Sequence, residues 1–148
     1  MLEFITAALV KLGATATMAT VLAGPIATSA TTPKEAAFLV TWGRYESGFR
    51  ERIMLNQCKA WECDRGRARG VWQLHQAAAG SAWDALPGDP LVQAHAAARM
   101  ARFALKTCHG EVRCAFRVLG GLPPSMRLPG EDYRVATYYR VRGMIGDE

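Results

Sequence analysis

The chain has 148 residues, enough for one domain. Half of them are hydrophobic and 21% are charged, which excludes wholesale disorder, collagen, a coiled coil and a multipass membrane protein. A net charge of +5 favours an acidic partner, whether nucleic acid, an anionic membrane surface or a charged wall polymer, and does not choose among them.

Residues 1–31 carry only Glu3 and Lys11 as charges, and Leu12 to Ala30 is rich in Ala, Thr, Val and Leu. Three readings stand: one or two Ala-rich core helices, a secretory signal with small residues near Ala30 as its cleavage site, or a membrane anchor. Lys11 and Gly24-Pro25 interrupt the apolar run, so no membrane span of the usual ~20 residues is expected. Residues 32–148 read as the functional domain.

Thr32-Pro33-Lys34-Glu35 is a capping-box pattern with proline at the first helical position. It predicts a helix through Glu46, stopped by Gly48. Phe38, Leu39, Trp42, Tyr45 and Glu46 fall on one stripe of that helix. Glu46 therefore stands at the C-terminal end of an apolar face. Desolvation and the negative helix end both disfavour its charged form there, which suits a general acid.

Residues 50 to 70 read as irregular. In Asp64-Arg65-Gly66-Arg67-Ala68-Arg69-Gly70 arginine alternates with small residues, which predicts a loop or an exposed hairpin. Gly70 to His75 opens an apolar segment expected to run as a helix to Ala79, and Ser81 to Pro90 is turn-rich. Leu91 to Lys106 predicts a long helix with Val92, Ala96, Arg99, Met100, Phe103 and Ala104 near helical spacing. Glu111 to Leu119 predicts a shorter helix. Gly120 to Gly130 is a connection, and Glu131 to Arg142 a final helix. No strand run and no internal repeat stands out, so the class is mostly α.

The four cysteines form two local pairs, Cys58 with Cys63 and Cys108 with Cys114. Two short disulfide loops, a four-thiolate zinc site and four reduced thiols all remain open, with the two disulfides expected. His75, His95 and His109 lie far apart and lack ligand spacing, so no histidine metal site is expected.

Tyr45-Glu46-Ser47-Gly48-Phe49, followed by Arg69-Gly70-Val71-Trp72-Gln73-Leu74, resembles the soluble lytic transglycosylase group of the lysozyme-like superfamily. That group has a Glu-Ser-x-Phe-type motif at a helix end and a Gly-Leu-Met-Gln-(Leu/Ile) motif further on. Gly70, Gln73 and Leu74 match the second motif, while Val71 and Trp72 replace its apolar pair. The resemblance covers residues 32 to 80 best. It implies a single lysozyme-like domain with a cysteine-bridged loop, and cleavage of the β-1,4 bond between N-acetylmuramic acid and N-acetylglucosamine.

By the same resemblance Glu46 is the catalytic acid and base, giving 1,6-anhydromuramoyl products with no cofactor. Ser47, Gln73 and Trp72 are expected to meet the sugar. Tyr138 is the preferred counterpart of a tyrosine that touches the catalytic glutamate, and Tyr133 the second choice. The chain departs from the group at Ala115 to Gly121, which lacks the Tyr and Asn of an Ala-Tyr-Asn-Ala-Gly-type motif. A lysozyme-type muramidase would instead need a group to place water, for which Glu62 and Asp64 are the nearby candidates; an inverting pair stands roughly 6.5–9.5 Å apart.

Arg65, Arg67 and Arg69 suit the lactyl or stem-peptide carboxylates of peptidoglycan. The same tract raises the alternative of a basic nucleic-acid- or wall-binding module without activity. The Arg-Gly run is short and has no interleaved aromatics, so no nucleic-acid partner is expected. The expected partner is peptidoglycan. The expected place of action is the cell wall, reached by export or in a phage particle.

Overall fold

Four side-chain oxygens set where four of the long helices begin. In the computed structural model, which describes residues 1–146, helix α1 (Leu2–Lys11) precedes α2 (Ala16–Ser29), whose start is capped by Thr15 accepting from the Met18 amide. Thr32 accepts from the Glu35 amide at 3.1 Å and opens α3 (Pro33–Ser47). Asp89 caps α7 (Pro90–Thr107) through the Leu91 and Val92 amides, and Glu111 caps α8 (Val112–Leu119). Helix α9 (Glu131–Ile145) closes the chain, and three single turns, α4 (Glu51–Met54), α5 (Cys63–Gly66) and α6 (Gln76–Ala79), fill the middle. The class is mostly α, as expected.

The capping box at α3 forms with one change. Glu35 reaches past Thr32 to the amide and hydroxyl of Thr31, and Arg102 of α7 joins the same carboxylate at 3.1 Å. The cap thereby ties the start of α3 to α7. Gly48 closes α3 at φ +62°, a conformation that favours glycine, with its amide on the Arg44 carbonyl.

Helix α3 is the centre of the packing and touches α1, α2, α7 and α9. Phe38 stacks on Phe116 at 4.4 Å between centroids and meets Tyr138 edge-on at 6.2 Å. Residues 1–31 form two Ala-rich helices that bury Ile5, Leu9, Met18, Leu22 and Ile26 in the same core. Helix α2 runs straight through Gly24-Pro25. Among the described residues no helix is long and apolar enough to cross a membrane.

The long helix expected from Leu91 to Lys106 forms as α7; it buries Ala94, Ala96, Ala97, Ala98, Ala101, Ala104 and Leu105, with Val92 and Met100 partly buried against the core and Phe103 59% exposed. Helices α2, α3 and α8 all pack on α7, and alanine permits those close approaches. The helix expected from Gly70 is instead a hairpin. Strands β1 (Ala68–Arg69) and β2 (Leu74–His75) pair antiparallel, with Ala68 opposite His75 and Arg69 opposite Leu74. Gly70 at φ +79° and Gln73 at φ +50° are left-handed, which no α-helix accommodates.

The cysteines pair as Cys58–Cys63 and Cys108–Cys114, with Cα separations of 6.1 and 5.7 Å. No cysteine is left to bind zinc, and no cluster among the described residues is suited to a metal. Reduction of the crosslinks is expected to lower unfolding stability by about 2 kcal/mol each. The urea midpoint with and without reductant measures this, and an unchanged midpoint refutes it.

Glu131, the first residue of α9, is almost fully buried. Arg117 holds it through paired 2.7 Å bonds, Arg113 adds a third contact at 3.2 Å, and the Leu128 amide donates as well. Arg117 foremost, working against burial, pulls the Glu131 carboxyl from the usual 4.5 down to about 2. The folded value lies below the unfolded one. The stabilisation is therefore complete above about pH 4.5 and is lost as pH falls toward 2. Thermal melts between pH 6 and pH 2.5 are expected to fall in that window, and Glu131→Gln to show a flatter fall from a lower starting Tm. Parallel curves for the two proteins would rule this out.

Candidate active site

The end of α3 delivers Glu46, and the hairpin delivers Trp72 and Gln73, to one cleft of about 320 Å³. Asp64 from α5, His75 from β2, and Leu119 and Gly120 from the end of α8 complete its wall. The two sequence motifs therefore meet in space. Their approach depends on Gly43 of α3. A Cβ built there would lie 3.0 Å from the Phe49 ring, 3.1 Å from Val71 and 3.3 Å from the Trp72 indole nitrogen. The missing side chain lets the hairpin press directly on the helix.

A second device holds the hairpin tip. Gln93 of α7 is buried; its oxygen accepts from the Val71 amide at 2.9 Å and its nitrogen donates to the carbonyls of Met54 and Leu86. A Cβ on Gly70 would lie 2.6 Å from the Gln93 amide, so that position needs glycine for space as well as for φ. Gly70→Ala is expected to destabilise the fold by about 2 kcal/mol or more. A urea midpoint equal to the wild type would contradict this.

Glu46 stands partly in water. Its side chain is 29% exposed, and Arg134 of α9 donates to it at 3.1 Å. The isolated carboxylate expected on an apolar face is in fact a salt-bridged one. Arg134 also lies over the Tyr45 ring at 5.0 Å, and the Tyr45 hydroxyl bonds Thr137 at 2.9 Å. Arg134 lies 88 residues from its partner in sequence, and no local pattern pointed to it.

The remaining expected contacts divide. Gln73 lines the cleft; its nitrogen donates to the Gly70 carbonyl at 3.0 Å and approaches Cys63 Sγ at 3.4 Å. Its oxygen has no hydrogen-bond partner among the described residues. Its left-handed backbone is one of four such non-glycine residues gathered here, with Cys63, Asp64 and Arg65. Backbone strain of this kind collects at functional sites.

Trp72 borders the cleft but is 1% exposed, and its indole donates to the Leu39 carbonyl at 2.8 Å. A sugar platform needs an open ring face, and Trp72 has none. Ser47 is buried too. Its hydroxyl donates to the Gly43 carbonyl and accepts from the Phe49 amide, so it shapes the end of α3 and does not reach the cleft. Tyr138 is packed between Phe38 and Tyr139 in the core. Tyr133 is exposed and lines a different cavity. Arg134 is the α9 side chain seen to pair with Glu46.

The two candidates for placing water also separate. Glu62 is gripped by Arg52 in a two-pronged contact, with Arg50 and the Lys59 amide beside it. Arg52 chiefly pulls its carboxyl from 4.5 to about 2, and Glu62 does not line the cleft. Asp64 does line it, 3.5 Å from His75 Nε2. Of the three arginines expected to meet carboxylates, Arg67 turns back to Asp64, and Arg69 lies over Trp83 and donates to its carbonyl. Arg65 is exposed.

No family model, curated protein or solved structure matches the chain.

Proposed function

We propose that the chain is a lysozyme-like enzyme that cleaves peptidoglycan glycan strands, a lytic transglycosylase with Glu46 as acid and base. One observation supports this most. The carboxylate of the first motif and the amide of the second line the same cleft, although the second motif sits on a hairpin and not on the expected helix. Protonated Glu46 would give its proton to the glycosidic oxygen as the bond to C1 of the muramoyl sugar breaks. The resulting carboxylate would take the proton of the C6 hydroxyl, whose oxygen closes on C1 to leave the 1,6-anhydro sugar. The Gln73 oxygen suits an acetamido N–H. Arg134 would hold the carboxylate in place and carry its countercharge between the two proton transfers. Two disulfides accord with work at the wall, outside a reducing compartment.

Asp64 supports a second reading. It lies in the cleft with His75, and as a base on water it would make the reaction a hydrolysis. Mass spectrometry of the fragments released from purified peptidoglycan separates the two. Anhydromuramoyl ends are expected; reducing muramoyl ends would transfer the assignment to the hydrolase with Asp64 as its base. No fragments from folded, oxidised protein would overturn both.

A further inference from the structure

A second cavity, of about 650 Å³, is lined by Tyr45, the residue next to Glu46 in α3. Lys11 from the end of α1, Arg44 from α3 and Arg140 from α9 line it, together with Tyr45, Tyr133 and Thr137. No carboxylate of the described residues lines it. None of the three cations makes an ion pair or a side-chain hydrogen bond among the described residues. Their neighbours differ sharply: Arg134 is paired with Glu46, Arg113 and Arg117 with Glu131, and Arg102 with Glu35. Three elements far apart in sequence thus bring to one opening three charges that have no acidic partner among the described residues. Mutual repulsion opposes that arrangement, and an anion relieves it.

Tyr45 and Arg134 connect the cavity to the cleft. Tyr45, fixed by its bond to Thr137, forms the cavity wall. Arg134 lies over its ring and pairs with Glu46 on the cleft side. Tyr133, 76% exposed, stands at the opening with its ring available. A neutral polymer in the cleft that carries short acidic branches would place a branch here. Guanidinium groups bind carboxylates in a two-pronged fashion, and the ammonium of Lys11 adds an unoriented charge.

We infer that Lys11, Arg44 and Arg140 bind the carboxylates of the peptide stems that branch from the wall glycan. The inference rests on the reading that a wall glycan lies in the Glu46 cleft. It gives residues 1–31 a part in the site, because Lys11 belongs to them. It also moves carboxylate recognition away from the Arg67 and Arg69 loop, whose guanidinium groups are engaged within the protein.

The test measures binding without turnover. Glu46→Gln protein is titrated with soluble glycan strands that keep their peptide stems, and with the same strands stripped of them by an amidase. Strands with stems are expected to bind about tenfold more tightly, the range of one or two charge-assisted hydrogen bonds. Adding Arg44→Gln and Arg140→Gln is expected to erase the difference and leave affinity for stripped strands unchanged. Both positions are exposed, so the melt should hold.

Equal affinity for the two polymers, or a preference that survives both arginine changes, would overturn the proposal. So would inorganic phosphate that displaces stem-bearing strands as well as a soluble stem peptide does, since that marks a general oxyanion site. Wild-type protein that releases no fragments while Glu46→Gln still discriminates would overturn only the cleavage reading.

Discussion

Glu46→Gln is expected to lower the rate of glycan cleavage by roughly 10²–10⁴-fold, the usual contribution of a positioned proton donor. The amide keeps the shape of the side chain and has no proton to give at neutral pH. The structure also sets what the change does to stability. Arg134 loses an ionic partner, but both side chains are partly exposed, so the cost should stay within about 1 kcal/mol. A Tm within a few degrees of wild type is therefore expected beside a nearly complete loss of activity. Retention of most of the activity would remove Glu46 from the mechanism. A large fall in Tm would leave the lost activity uninterpretable as chemistry, and Glu46→Gln with Arg134→Gln would then test the pair as a unit.

The largest structural effect is expected from Gln93→Leu, a change of similar volume that removes three hydrogen bonds. The Met54 and Leu86 carbonyls keep a second donor each, from the amides of Gly88 and Asp89. The Val71 amide has no such reserve and would be buried without a partner. One orphaned amide and two lost bonds add to about 3 kcal/mol. The hairpin tip that carries Trp72 and Gln73 should loosen first, so hydrogen exchange at Val71 and Gln73 should rise more than exchange in α3. Uniform acceleration across the chain would show that Gln93 serves the whole core and not the hairpin.

Much of α3 was readable from sequence because its determinants are local. The cap, the apolar stripe and the terminating glycine lie within seventeen residues, and each acts on its own neighbours. The disulfide pairs were readable for the same reason. The hairpin was not. Its turn depends on Gln93 in another helix and on the space left by Gly43, and an apolar run such as Val71-Trp72 reads equally as helix. The site divides in the same way. Glu46 and Gln73 were named from their motifs and do line one cleft. Ser47 and Trp72 stand in the same two motif segments, but their polar atoms are taken by backbone groups that only the folded chain brings near. Arg134 had no sequence signal, because its partner lies in a helix almost the whole chain away.

Helix α9 packs on α1, α3 and α8, all of which precede it in the chain. During synthesis Phe38 can meet Phe116 of α8 first, whereas Tyr138 and the α9 surface that covers α1 and α3 are missing until residue 131 and beyond have emerged. Until then α1 and α3 keep their α9-facing surfaces open. Folding should begin late and then proceed as one event, and truncated chains should depend on holdase protection in a way the finished chain does not.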